Sequence, residues 1–326
     1  MSTHETIDLT LNAKIIEHFQ NPRNIGELEH PDGFAVVGDP SCGDHIKVWL
    51  KVEDEIITDF KYKVFGCWGA ISTTSVVSEL AIGKSLKQAS LFTDDDVVRE
   101  LGGIPQNKQH CSLLGIQGLR TAIADFLIKD NHRKFSERIE QYRAHGYDFP
   151  LARDLMVNKI RDLPKSANVL DVGTGKGHLA LAIARSGRKC ISVDISEEEI
   201  HYARLNAIYY KLDNLIRFEN QDARHLKFEN DHFDAVMTAA FMHHLKNPEP
   251  VLNEFIRVSK LGTKIVISDF NENGLKMVAQ KHREDGKTHD VHGWRMEEVQ
   301  KWFENQQYST QLVNEEFETI VTVTTR

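Results

Sequence analysis

Residues 168–194 read NVLDVGTGKGHLALAIARSGRKCISVD. A short apolar strand enters a loop with glycine at 173, 175 and 177, an Ala/Leu-rich helix follows, and a second strand ends at Asp194. Strand, glycine turn, helix and strand in that order open a doubly wound α/β fold, a parallel sheet with helices on both faces. The alternation continues downstream. Ser196 and Glu199 have the spacing of a capping box for the helix EEEIHYARLNAIYYKL. Strands follow at IRFEN, FDAVMTA and TKIVISD, and the tail QLVNEEFETIVTVTTR reads as two strands around a turn that add an antiparallel edge.

The loop itself selects among ligands. A dinucleotide fingerprint needs its third glycine at position 178, where His178 stands, and no Gly-Lys-Ser/Thr follows to make a phosphate-binding P-loop. Acidic residues instead mark three strand ends. Asp194 lies 17 residues beyond Gly177, where a carboxylate accepts both hydroxyls of an adenosine ribose, and Asp222 can meet an adenine amino group. Asp171 can face an ammonium. Such a set suits a cationic adenosine ligand without phosphate; the bland reading of any one Asp is a turn or helix cap.

The arrangement resembles the class I S-adenosylmethionine-dependent methyltransferases over about residues 150–326, most recognisably in the glycine loop and in FDAVMTAAFMHHL. The resemblance implies that Asp171 and the loop at Gly173, Gly175 and Gly177 hold the methionine portion, Asp194 the ribose and Asp222 the adenine edge. Methyl transfer from a sulfonium is a direct displacement, so the protein mainly aligns the reacting groups. His243 and His244, after the fourth strand, are candidates for a base or an acceptor contact. Their alternative is a structural pair. His289-Asp290-Val291-His292 offers metal ligands, though spacing that loose reads more readily as a solvated loop, and Cys190 reads as an inert buried thiol.

Upstream the pattern changes. Residues 9–21 form an amphipathic helix closed by Asn21-Pro22, and strands 46–52 and 57–64 are joined by the turn Glu53-Asp54-Glu55. Residues 71–82 and 112–128 read as helices, with Leu113, Ile116, Leu119, Ile123 and Phe126 on one face of the second. The expected organisation is an α+β module over 1–130, a helical connector over 131–165 broken at Gly146 and Pro150, and the α/β domain over 166–326.

Three of the four cysteines lie in the first module: Cys42 in GDPSCGD, Cys67 in FGCWG and Cys111 directly after His110. A helix beginning there would lower the Cys111 pKa. Soft thiolates suit zinc and iron–sulfur clusters, and Asp44 or His110 can supply a fourth ligand. Spacings of 25 and 44 residues make no compact metal motif, so the spacing alone favours ordinary buried thiols. The flanking residues point elsewhere. HFQNPRNIGEL, DPSCGD, FGCWGAISTTS and GGIPQNKQHCSLLGIQGLRTAIADF, in that order over residues 11–128, resemble the IscU/NifU-type iron–sulfur cluster assembly scaffolds. That resemblance implies that Cys42, Cys67 and Cys111, with Asp44 and His110, hold a nascent cluster, expected as [2Fe-2S], or zinc. It also implies sulfur supply by a cysteine desulfurase and delivery to iron–sulfur acceptor proteins. One segment departs: where IscU proper carries Leu-Pro-Pro-Val-Lys, this chain has Ile104-Pro105-Gln106-Asn107-Lys108.

Composition narrows the classes further. The 326 residues carry 48 acidic and 40 basic side chains, a net charge of −8 that disfavours a nucleic-acid surface. The imbalance sits in the first module, with 19 acidic against 12 basic up to residue 130 and 29 against 28 after it. No long apolar run suggests a membrane, MSTHETIDLTLNAK lacks the plan of a secretion signal, and four cysteines are too few for a disulfide scaffold, so a cytoplasmic protein is expected. The expected function is twofold: cluster assembly by the first module, and methyl transfer to a small acceptor by the second. Two alternatives are a scaffold regulated by bound S-adenosylmethionine without turnover, and a methyltransferase with a structural zinc module.

Overall fold

The computed structural model describes residues 12–38, 43–284, 286 and 292–326, without the side chains of residues 107, 109, 110 and 112. The chain divides into two compact units, with the boundary between Asp130 and Asn131.

In the first unit, helix α1 (Ala13–Gln20) is opened by Asn12, whose side chain accepts the Ile15 amide at 3.0 Å. Strands β1 (Gly33–Gly38), β2 (His45–Glu53) and β3 (Ile56–Phe65) form an antiparallel sheet in that order. The β2–β3 turn is the expected one: Asp54 and Glu55 adopt φ of 49° and 62°, the left-handed pair that matches the twist of a two-residue hairpin. Helices α2 (Trp68–Ala81), α3 (Leu86–Ser90), α4 (Asp94–Leu101) and α5 (Gln109–Arg143) follow. Ile46, Val48, Leu50, Phe60, Val76, Val77 and Leu119 share the core of this unit. Helix α2 also buries Ser72, Thr73, Thr74, Ser75 and Ser78. The hydroxyls of Ser72, Thr73, Thr74 and Ser78 are satisfied by helix carbonyls, as in Thr74 Oγ1 to Ala70 O at 2.7 Å, and that of Ser75 pairs with His18 Nδ1 and accepts the Arg23 amide, each at 2.9 Å, which removes most of the cost of burying them.

The second unit begins inside α5. Residues 131–165, expected as a connector, are part of its body: Phe135, Ile139, Tyr142, Tyr147 and Phe149 share one buried cluster with Val169 and Leu179. Helix α6 (Phe149–Asn158) carries Arg153, which is buried and paired with Glu318 at 2.9 Å, while Tyr147 also hydrogen-bonds that carboxylate. The apolar positions of 135–149 therefore face a core, a role that the charged residues between them disguise.

Strand β4 (Val169–Val172), helix α7 (His178–Arg185), β5 (Cys190–Asp194), α8 (Glu197–Tyr209), β6 (Ile216–Asn220) and β7 (Phe233–Ala239) come next. They are followed by α9 (Glu249–Val258), β8 (Ser259–Phe270), α10 (Glu272–Glu284), α11 (Met296–Asn305), β9 (Ser309–Asn314) and β10 (Glu318–Thr324). The seven strands are ordered β6-β5-β4-β7-β8-β10-β9, with β10 antiparallel to both of its neighbours. The chain winds one way from β4 to β6 and then the other from β7 to β8, so the strand order reverses beside β4, where α/β sheets place their ligand crevice. Ser196 caps α8 by accepting the Glu199 amide at 3.2 Å, but Glu199 does not return the bond; its carboxylate takes Lys176 instead. No helix among the described residues is long and apolar enough to cross a membrane.

Candidate functional site

The end of β3 and the start of α2 bring Cys67 opposite Cys111 in the first turn of α5. Their sulfurs lie 3.5 Å apart, and the ligand atoms of Asp44, Cys67 and Cys111 all fall within 4.8 Å of one another, a group that can hold a metal ion. Thr73 ties the two helices together by donating to the Cys111 carbonyl at 3.0 Å. The site is tight. A Cβ added at Gly69 would stand 3.2 Å from the Cys111 sulfur and 3.5 Å from that of Cys67. Asp44 is buried and its Oδ2 has no hydrogen-bond partner among the described residues, an expensive state for a carboxylate unless a cation completes it.

The thiols differ in acidity, and in the opposite sense to the sequence expectation. Cys67 is pulled down to about 6 by the hydrogen bond from Cys111, with help from the Ala70 amide in the first turn of α2. Cys111 is pushed up by donating that bond and by burial. Cys67 occupies the N-cap of α2, so it, and not Cys111, is the thiolate stabilised at a helix start. Cys42 and the side chain of His110 lie outside the described residues.

In the second unit the glycine loop is braced from below. Gly173 and Thr174 donate to the Val193 carbonyl at 2.9 and 3.1 Å, and the Asp194 carboxylate accepts the amides of Gly175 and Ser196, each at 2.9 Å. Two cavities adjoin the loop. One, of about 550 Å³, is lined by Asp194, Ile195, Asp222 and Arg224; the other, of about 450 Å³, by Arg138, Phe149, Gly175 and His178. Gly173, Asp194, Phe241 and His244 line both. At Gly173, with φ of 78°, a Cβ would meet the Phe241 ring at 2.7 Å, so glycine lets that ring close over the loop.

The expected site residues separate into different places. Asp222 lines the larger cavity, and its carboxylate is forked by Arg224, which holds it down to about 2. Asp171 is buried and lines neither cavity; Ser192 donates to its Oδ2 at 2.7 Å, its Oδ1 has no partner among the described residues, and burial pushes it up to about 7. Gly177 caps α7 and faces α8, where a Cβ would stand 3.1 Å from that of Ala203, and it lines neither cavity. The histidine pair is divided. His243 is buried and lines neither cavity, with its ring on Asp269 at 2.6 Å and its amide on the same carboxylate at 2.7 Å. His244 is the member that lines the cavities. Cys190 is buried, as expected, and burial pushes its thiol up. Residues 289–291 lie outside the described residues. Phe241 and the stack of His178 between Phe135 and Phe149, at 4.4 and 4.5 Å, went unread in the sequence because contacts across tens of residues leave no local pattern.

The fold and these sites define a two-part chain: an α+β domain with a thiol–carboxylate cluster, and a doubly wound domain with a glycine-loop crevice. The description "NifU-like N terminal domain" fits residues 10–133, and "Methyltransferase domain" fits residues 163–320. The iron–sulfur cluster assembly scaffold protein IscU 1 of Archaeoglobus fulgidus is 46% identical over 117 residues, 36% of this chain and 76% of that protein. The IscU scaffold of Escherichia coli K12 is 41% identical over 125 residues, 37% of this chain and 97% of that one. A SAM-dependent methyltransferase structure from Methanosarcina mazei is 19% identical with a TM-score of 0.42, covering 50% of this chain and 94% of that one. Through its first unit the chain belongs to the NifU/IscU family, and its second unit carries the region that the methyltransferase-domain description fits.

Proposed function

We propose that the first unit assembles or carries an iron–sulfur cluster and that the second transfers a methyl group from S-adenosylmethionine to a small acceptor. The observation that carries the first part is the group of Asp44, Cys67 and Cys111, with an acidic thiol and a buried carboxylate oxygen that lacks a partner among the described residues. A carboxylate is a harder ligand than a thiolate and makes the site more labile, which suits a donor of clusters. Sulfur would come from a cysteine desulfurase. Attack of the Cys67 thiolate on the outer sulfur of the donor's persulfide forms one S–S bond, breaks another and releases the donor's thiolate. Cys42 and His110 complete the proposed ligand set, and iron–sulfur acceptor proteins receive the product.

The second unit fits S-adenosylmethionine by its donor set. Bound there, this molecule supplies a methyl group on a sulfonium. Asp194 is placed to exchange its loop amides for ribose hydroxyls, and Asp222 belongs to the cavity proposed for adenine. The orphan oxygen of Asp171 lies beneath the loop, where an ammonium would stabilise its ionised form. Gly175, with nothing within 4 Å of a Cβ position, leaves the backbone open to close approach. Phe241 excludes water at the junction of the cavities, and His244 is the group proposed to accept the proton that the acceptor loses.

The test is titration of the full chain with S-adenosylmethionine alongside metal analysis. Asp194→Ala is expected to weaken binding by at least tenfold with metal content unchanged, and Cys67→Ala to do the reverse. Equal binding in wild type and Asp194→Ala would overturn the assignment of the crevice. The same thiol–carboxylate group also suits zinc, a structural role in which chelation would unfold the first unit.

A further inference from the structure

Phe241 and His244, which line both cavities, sit on the turn between β7 and α9. The turn is one tight unit: the His244 amide donates to the Phe241 carbonyl at 3.1 Å and the Leu245 amide to the Met242 carbonyl at 3.0 Å. It is entered through Ala240 at φ of 51°, a left-handed backbone that alanine does not favour by itself, so neighbouring segments impose its course. Two of them grip the turn from residues that line neither cavity. Asp269, at the end of β8, takes the amide and the ring of His243. On the other side, just before α11, the His292 amide donates to the His243 carbonyl at 2.7 Å. Gly293 follows with φ of 76°, and a Cβ there would stand 2.5 Å from the Met242 carbonyl oxygen and 2.6 Å from that of Leu245. Only a residue without a Cβ lets the backbone come this close to both carbonyls.

On the reading of the crevice as the methyl-donor site, we propose that Gly293 is a positioning residue for it. Its bare backbone lets the turn seat the Phe241 ring on Gly173, and so sets the affinity for the methyl donor from outside both cavities. The seating has no slack, because the ring already stands 2.7 Å from where a Cβ at Gly173 would be. A Cβ at position 293 meets carbonyl oxygens, which cannot rotate aside as the end of a long side chain does. The turn must then move as a unit and carry Phe241 and His244 with it, since packed segments yield by displacement and not by compression. Both residues wall the crevice, and a displacement of about 1 Å in a preorganised site can cost about a hundredfold.

The experiment titrates the full chain with S-adenosylhomocysteine by calorimetry. Gly293→Ala is expected to weaken binding about tenfold. The control is Gly262→Ala: Gly262 has φ of 73° and nothing within 4 Å of its Cβ position, so alanine there brings the same backbone strain without the collision. It should leave binding within about twofold of wild type. Gly293→Asn tolerates the left-handed backbone better but carries the same Cβ, so it should reproduce the loss and serves where the alanine variant folds poorly. In a Phe241→Leu background the loss should shrink to less than about threefold, because two substitutions that act through one contact are not additive. Wild-type affinity in both Gly293 variants, or equal losses in Gly293→Ala and Gly262→Ala, would overturn this inference and leave the donor site standing. A full loss that persists in Phe241→Leu would also overturn it, since Gly293 would then act elsewhere than on that ring. Failure of wild type to bind S-adenosylhomocysteine at all would overturn both readings.

Discussion

The sulfur of Cys67 lies 3.5 Å from that of Cys111, beyond a disulfide bond of about 2.05 Å and within the reach of an S–H···S contact. Because Cys111 donates, the negative charge rests on Cys67 at the start of α2. In metal-free protein, alkylation mapped by peptide mass spectrometry should therefore reach half its maximal rate at Cys67 near pH 6, while Cys111 resists up to well above pH 9. Cys111→Ala removes the donated bond and should move the Cys67 midpoint upward. Faster labelling of Cys111 than of Cys67 would contradict the assignment.

Gly69 offers a test of the pocket that spares the ligands. Alanine there places a Cβ 3.2 Å from the Cys111 sulfur, while the exchange itself favours helix α2 by about 1 kcal/mol. Gly69→Ala should hold zinc or iron about tenfold more weakly with a melting temperature equal to or above that of wild type, since small displacements around a metal site cost affinity on that scale. Undiminished metal affinity would mean that the sulfurs do not converge on the ion from this side.

Asp171 links ligand binding to pH. Its pKa is raised in the folded chain to about 7 from an ordinary value of 3.8, so the folded state binds the extra proton between those values. The contribution to stability is complete below pH 4 and is lost as pH rises through 7. In the ligand-free protein, Asp171→Asn should gain stability relative to wild type between pH 5 and 8, measured by urea denaturation. S-adenosylmethionine, whose ammonium is proposed to pair with the ionised carboxylate, should bind wild type more tightly as pH rises from 6 to 8, and Asp171→Asn weakly at both. A wild-type affinity that falls over that range would contradict the pairing.

Much of this was legible from residue order. The glycine loop, the strand ends at Asp171 and Asp194, and the Asp54-Glu55 turn each carry their conformation in a few adjacent residues, and the structure has them where the pattern puts them. Strand β1, GFAVVG, went unread because glycines bound a segment too short for alternation to register. The length of α5 was hidden too: Phe135, Ile139 and Tyr142 keep helical spacing, but the charged residues among them read as a solvated linker until the core they face is known. The acidity of Cys67 depends on a sulfur 44 residues away, so the helix-start argument at Cys111 reached the wrong thiol.

The adjacent histidines should separate cleanly on substitution. His243→Ala leaves the Asp269 carboxylate buried without its ring partner and should cost about 3 kcal/mol of stability. His244→Ala, on the cavity wall, should leave the melting temperature within about 2 °C of wild type, because surface changes cost little. Urea and thermal unfolding of the two variants check this; equal losses would mean that His244 is also structural.

The central claim is that one chain joins a cluster scaffold to a methyl-transfer site. Its most direct test is iron, acid-labile sulfide and zinc on protein handled without oxygen, before and after incubation with iron, cysteine and a cysteine desulfurase. Iron and sulfide should rise together to matching amounts in wild type and in Asp194→Ala, and remain near background in Cys67→Ala. Zinc retained throughout, with no sulfide gained, would contradict the scaffold reading and leave the first unit a structural metal domain.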